Sequence, residues 1–92
     1  MTTLQQALKC FDSAVACLAC SEASLAERLE QAAGEIAALQ ERDFSPDLRS
    51  GFQRVTGALA DFRQNPEQPW LRLAAATAIL EMCLLMHRLT WE

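Results

Sequence analysis

Residues 44–62 read FSPDLRSGFQRVTGALADF, and this stretch decides the fold class. Its large apolar residues, Leu48, Phe52, Val55, Leu59 and Phe62, follow one another at intervals of 4, 3, 4 and 3. That is half a heptad per step, the period of a helix packed nearly parallel or antiparallel to its neighbours with one apolar stripe inward. The start is marked as well. Ser45 can cap, Pro46 suits the first helical position, where no N–H is needed, and Asp47 favours the positive end of the helix dipole.

Downstream, Asn65-Pro66-Glu67-Gln68-Pro69 ends this helix, because its two prolines remove backbone donors and bias the residues before them toward extended backbone. Beyond it the same period recurs in Leu73, Thr77, Leu80, Leu84, His87 and Trp91, now with two polar members. The segment from Trp70 to Trp91 is nevertheless apolar round most of its circumference. At about 100° per residue, Leu71, Ala75, Ala78, Met82, Leu85 and Leu89 form a second seam almost opposite the first. A helix in an isolated bundle needs about three apolar positions in seven, so one seam is surplus.

Either seam can face the core. The expectation is that Leu73, Leu80 and Leu84 do, which leaves Leu71, Ala75, Ala78, Met82, Leu85 and Leu89 as a protein-binding face, with Met82 and Leu85 at the contact of a homodimer. A membrane span is not expected. Glu81 sits mid-segment, and Arg72 and Arg88 are only about fifteen residues apart, too few for roughly 30 Å of hydrocarbon.

Upstream, two further seams share the period: Leu4, Leu8, Phe11, Val15 and Leu18, then Leu25, Leu29, Ala32, Ile36 and Leu39. Ser24-Leu25-Ala26-Glu27 fits a capping box, which places a turn at Ala19 to Ala23 between two antiparallel helices. The phase is kept from Leu18 to Leu25, however, so a single helix from about Thr3 to Arg42 is the alternative. The first reading gives an all-α antiparallel four-helix bundle. The second gives a long N-terminal helix plus two helices, a three-helix assembly completed by dimerisation. The hairpin is favoured, because a helix of about 40 residues in so short a chain would leave one end uncovered.

Composition bounds the function. The 92 residues make one domain, 51% hydrophobic, with few glycines and prolines and a net charge of −4. The acidic block of Glu22, Glu27, Glu30, Glu35, Glu41 and Asp43, with Lys9 the only lysine, argues against nucleic acid, whose binding needs clustered cations. The first residues lack a basic segment leading into an apolar one, so a cytoplasmic setting is expected. Arginine's excess over lysine hints at a GC-rich coding genome, bacterial or viral.

Candidate chemistry is sparse. Cys17-Leu18-Ala19-Cys20 and the pair Cys83 and His87 supply ligand types for zinc, but in an antiparallel bundle the two pairs would miss each other by roughly 15 Å. Buried thiols, with no metal, no cofactor and no structural disulfide, are the expectation. A redox Cys-x-x-Cys would want a helix N-terminus, which Cys17 does not have. Cys83 and His87 are i, i+4 neighbours, yet nothing in the sequence marks a residue to orient the imidazole, and Glu81 points to another face. Gly34, Gly51 and Gly57 lie within helices and form no phosphate loop; Gly34 and Gly57 fall outward, each costing up to about 1 kcal/mol against alanine. The expected function is a small non-enzymatic interaction module, an adaptor, regulator or antagonist. The alternatives are a purely structural homodimer and a metal or small-ligand bundle using Cys17, Cys20, Cys83 and His87.

Overall fold

Four helices, α1 (Leu4–Cys20), α2 (Leu25–Ile36), α3 (Pro46–Gln64) and α4 (Pro69–Trp91), follow in chain order, with a short 3-10 turn at Glu41–Asp43 between α2 and α3. The computed structural model describes residues 4–20 and 24–91, without the side chains of Leu4, Cys20, Thr90 and Trp91. The fold is the antiparallel four-helix bundle that the seams predict. There are no strands among the described residues.

The hairpin reading of the N-terminal half holds: α1 and α2 pack side by side rather than forming one rod. Residues 21–23 of the expected turn lie outside the described residues. At its far side Ser24 is the N-cap of α2, in extended backbone, and its hydroxyl accepts the Glu27 N–H at 3.3 Å. Arg28, one turn into α2, reaches across and donates to the Leu18 carbonyl at 2.6 Å. That carbonyl lies near the end of α1, so the guanidinium ties the two helices of the hairpin together.

α2 is shorter than its seam. It ends at Ile36, and Leu39 is buried from the connection instead of from the helix. The competing interaction is local: the Asp43 carboxylate accepts the Gln40 N–H at 2.8 Å and fixes the 3-10 turn there. Phe44 follows, pointing inward, stacked on Phe52 at 4.6 Å between ring centroids and edge-on to Phe11 at 6.4 Å. One connection residue thus joins α1 to α3. Ser45 holds the N-cap position of α3 with Pro46 first in the helix, but its side chain makes no cap bond; Leu48 and Arg49 donate to its backbone carbonyl instead. Asn65 closes α3 where the proline pair predicts, and α4 begins at Pro69.

α1 packs on α2 and α4, and α4 on α3. α2 and α3 approach less closely and leave an open groove of about 460 Å³ lined by Ala33, Ile36, Phe52 and Leu59, with Arg63 and Glu30 paired at 3.6 Å between the two helices. The core contains many small side chains: Ala7, Ala14, Ala32, Ala33, Ala75 and Ala78 are all buried. Gly51 belongs with them, since a Cβ there would lie 2.8 Å from the Met82 sulfur. Small residues let α4 sit close to its neighbours, and that closeness selects which of its faces is inside.

Candidate functional site: the outer face of α4 and the Asp12 cluster

The expected assignment of α4's seams is reversed. Ala75, Ala78 and Met82 are 0%, 6% and 2% exposed, so they are core and cannot form a contact surface in this fold. Leu71 and Leu85 are half-buried beside them, and only Leu89 of the proposed set is exposed. The other seam faces water: Trp70, Leu73, Leu80 and Leu84 are exposed to 64%, 60%, 44% and 69%. Thr77 lies between them, also exposed, and His87 is half-buried at the far end. The correction has a steric cause. Ala75 and Ala78 let α4 lie close and the unbranched Met82 fits over Gly51, while Ile79 and Met86 complete the buried face.

Trp70, Leu73, Thr77, Leu80 and Leu84 therefore form a continuous stripe at intervals of 3, 4, 3 and 4, the pattern of a helix prepared to receive another helix. Fully burying each large member is worth about 1.5 to 3 kcal/mol. Charge borders the stripe: Glu81 pairs with Arg54 of α3 at 3.7 Å on the surface, and Arg88 stands exposed two turns further on. By length and composition alone α4 also passes as a membrane-crossing helix, since Pro69–Leu89 is 21 residues with a mean hydropathy of 1.4.

A second constellation lies where α1 crosses the C-terminal half of α4. The Asp12 carboxylate Oδ1 takes two partners, His87 Nε2 at 2.7 Å and the Cys83 thiol, which donates to it at 3.3 Å. All three donor groups lie within 4.8 Å of one another. Cys83 is buried, while Asp12 and His87 are about half exposed. The hydrogen bond from His87 holds the Asp12 carboxyl below its ordinary range. Burial, reinforced by the adjacent Asp12 charge, pushes the Cys83 thiol up to about 11.

Sequence reading paired Cys83 with His87 but missed Asp12, 71 and 75 residues away. The only available signal was indirect, a lone aspartate next to Phe11 on a helix otherwise almost free of charge. The imidazole thus does have an orienting carboxylate, contrary to expectation. The order of contacts is still not that of a nucleophile relay, in which histidine stands between thiol and carboxylate; here the carboxylate is the hub. Of the other expected ligands, Cys17 is not part of the group and the Cys20 side chain lies outside the described residues. Cys10, Cys17 and Cys83 are free thiols.

No protein-family model matches the chain, and no curated protein or solved structure matches it, so any functional reading rests on this geometry.

Proposed function

We propose that this protein is a non-enzymatic interaction module that docks through the outer face of α4, and that its occupant is a second copy of the same chain. The observation that carries the reading is the exposed heptad stripe of Trp70, Leu73, Leu80 and Leu84 on a helix whose opposite face already fills the core. A monomer that leaves this stripe in water forgoes several kcal/mol of burial, which association would recover.

Charge favours a second copy over an unrelated helix. If two α4 helices run antiparallel about a two-fold axis, Leu73 meets the second copy's Leu84 and Thr77 meets its Leu80. In the same register Glu67, just ahead of α4, falls beside the second copy's Arg88, and symmetry repeats the pair at the other end. A parallel pair would set each of these charges against its own kind. Against a membrane role stands Glu81, which would carry its charge to mid-span. Against a cysteine enzyme stands Cys83, whose buried thiol is protonated at neutral pH.

Sedimentation equilibrium tests the reading. Wild-type protein at about 100 µM is expected to be dimeric, and Leu73→Glu with Leu84→Glu to give a folded monomer. Glu67→Arg or Arg88→Glu alone should weaken the dimer by a few-fold to about tenfold, and the two together should restore it. A monomeric wild type refutes self-association. Partition of the wild type into lipid vesicles, lost in the Leu73→Glu, Leu84→Glu variant, would assign the face to a membrane instead.

A further inference from the structure

The Asp12, Cys83 and His87 cluster lies at the far end of the docking stripe, which His87 continues, and its three polar groups add no apolar surface to it. We propose that these three side chains form a binding site for a zinc-class divalent ion, with thiolate, imidazole and carboxylate as protein ligands and the fourth position open to water.

Sulfur, nitrogen and oxygen donors from cysteine, histidine and aspartate are the set that suits a borderline-soft, tetrahedral ion, and three protein ligands plus water is the arrangement of an open zinc site. Geometry agrees. Zinc bonds of about 2.0 to 2.3 Å put tetrahedral ligand atoms roughly 3.3 to 3.7 Å apart. The thiol and carboxylate oxygen are already 3.3 Å apart, and the three donors lie within 4.8 Å of one another. The contact of 2.7 Å between Asp12 and His87 has to open, and both of those side chains are half exposed, with room to adjust.

Placement on the elements matters as much as distance. Cys83 and His87 stand i, i+4 on one face of α4, a rigid spacing within the helix, and Asp12 is supplied by α1. An ion would replace the hydrogen bonds that meet at the Asp12 oxygen and staple the first helix to the last. The balance is simple: the ion forms a bond to sulfur, and the Cys83 proton leaves to solvent. The open side faces water because the two exposed ligands flank it, while the buried Cys83 anchors the ion from the core.

The test uses the whole chain, reduced and stripped with chelator, titrated with Co(II) and then with Zn(II). Tetrahedral thiolate coordination is read from the sulfur-to-cobalt charge-transfer band and intense visible ligand-field bands. The expected result is one Co(II) per chain, displaced by Zn(II), in wild type and in a Cys10→Ser, Cys17→Ser, Cys20→Ser control. The band should vanish in Cys83→Ser, and affinity should fall at least tenfold in Asp12→Asn and His87→Gln. Circular dichroism of each metal-free variant confirms that it is folded, and a Zn(II)-induced rise in wild-type Tm provides a measure that needs no variant. Absence of the band in wild type overturns the proposal, as does a band that survives Cys83→Ser but disappears in the control, or a wild-type Tm that Zn(II) leaves unchanged. Because His87 lies at the end of the docking stripe, the titration is repeated on the Leu73→Glu, Leu84→Glu variant, which keeps all three ligands and separates metal binding from dimerisation.

Discussion

α3 and α4 carry the same spacing of apolar residues and meet opposite fates. In α3 the stripe Leu48, Phe52, Val55, Leu59 and Phe62 is entirely buried, and the rest of its circumference is polar or small. In α4 the stripe in the equivalent phase, Leu73, Thr77, Leu80 and Leu84, is entirely exposed. A period locates a helix and ranks its faces only when the faces differ. α3 has one face that water rejects; α4 has two, and the fit against the neighbouring helices decides between them. The core takes Ala75, Ala78, Ile79, Met82, Cys83 and Met86, with Met82 seated over Gly51 of α3, and Leu73, Leu80 and Leu84 stay outside.

A charge placed on each stripe separates the two helices most strongly. Leu59→Glu in α3 and Met82→Glu in α4 should unfold the chain, since burying an unpaired carboxylate costs several kcal/mol, close to the whole stability of a domain this small. Leu80→Glu and Leu84→Glu should leave monomer stability within about 0.5 kcal/mol of wild type in urea titrations. If Leu84→Glu unfolds the protein while Met82→Glu does not, the inner and outer faces of α4 have been interchanged.

Next in size is an effect peculiar to α4's core. The Cys83 thiol is raised to about 11 from an ordinary value of 9.0, so the folded state holds its proton after the unfolded chain has released it. Its contribution is complete below about pH 9 and is lost as pH rises through the folded value near 11, a change of roughly 2 to 3 kcal/mol. Cys83→Ala should remove this part of the alkaline loss, measured as the difference between the two proteins' stability-pH curves in chelator. Asp12 acts in the other direction. Its carboxyl is held below the ordinary range, so its share of stability is present above about pH 4 and disappears on acidification through the folded value. Asp12→Asn should flatten the acid limb; an unchanged limb would show that the His87 contact contributes nothing.

The smallest effects compare two glycines of α3. Gly57 is exposed with no atom within 4 Å of an added Cβ, so Gly57→Ala should gain about 0.5 to 1 kcal/mol from helix propensity alone. Gly51 faces α4, and its added methyl would meet the Met82 sulfur at 2.8 Å, so Gly51→Ala should gain less than Gly57→Ala or lose stability. Equal gains at the two sites would mean that α3 and α4 do not depend on close approach there.

What depends on near neighbours along the chain is legible in the residues alone. The proline pair at Pro66 and Pro69 and the Ser45-Pro46 start bound α3, because missing donors and a fixed φ act on their own segment whatever packs around it. The four periods likewise announce four amphipathic or apolar helices, and Ser24 marks the entry to α2. The rest follows from how the helices pack. Which side of α4 loses its water depends on how near α1 and α3 can come, a property of alanines and a glycine spread over three helices rather than of α4's own pattern. Asp12 meets Cys83 and His87 for the same reason. Their separation along the chain is 71 and 75 residues, and only the crossing of the first helix over the last converts three unremarkable side chains into one cluster.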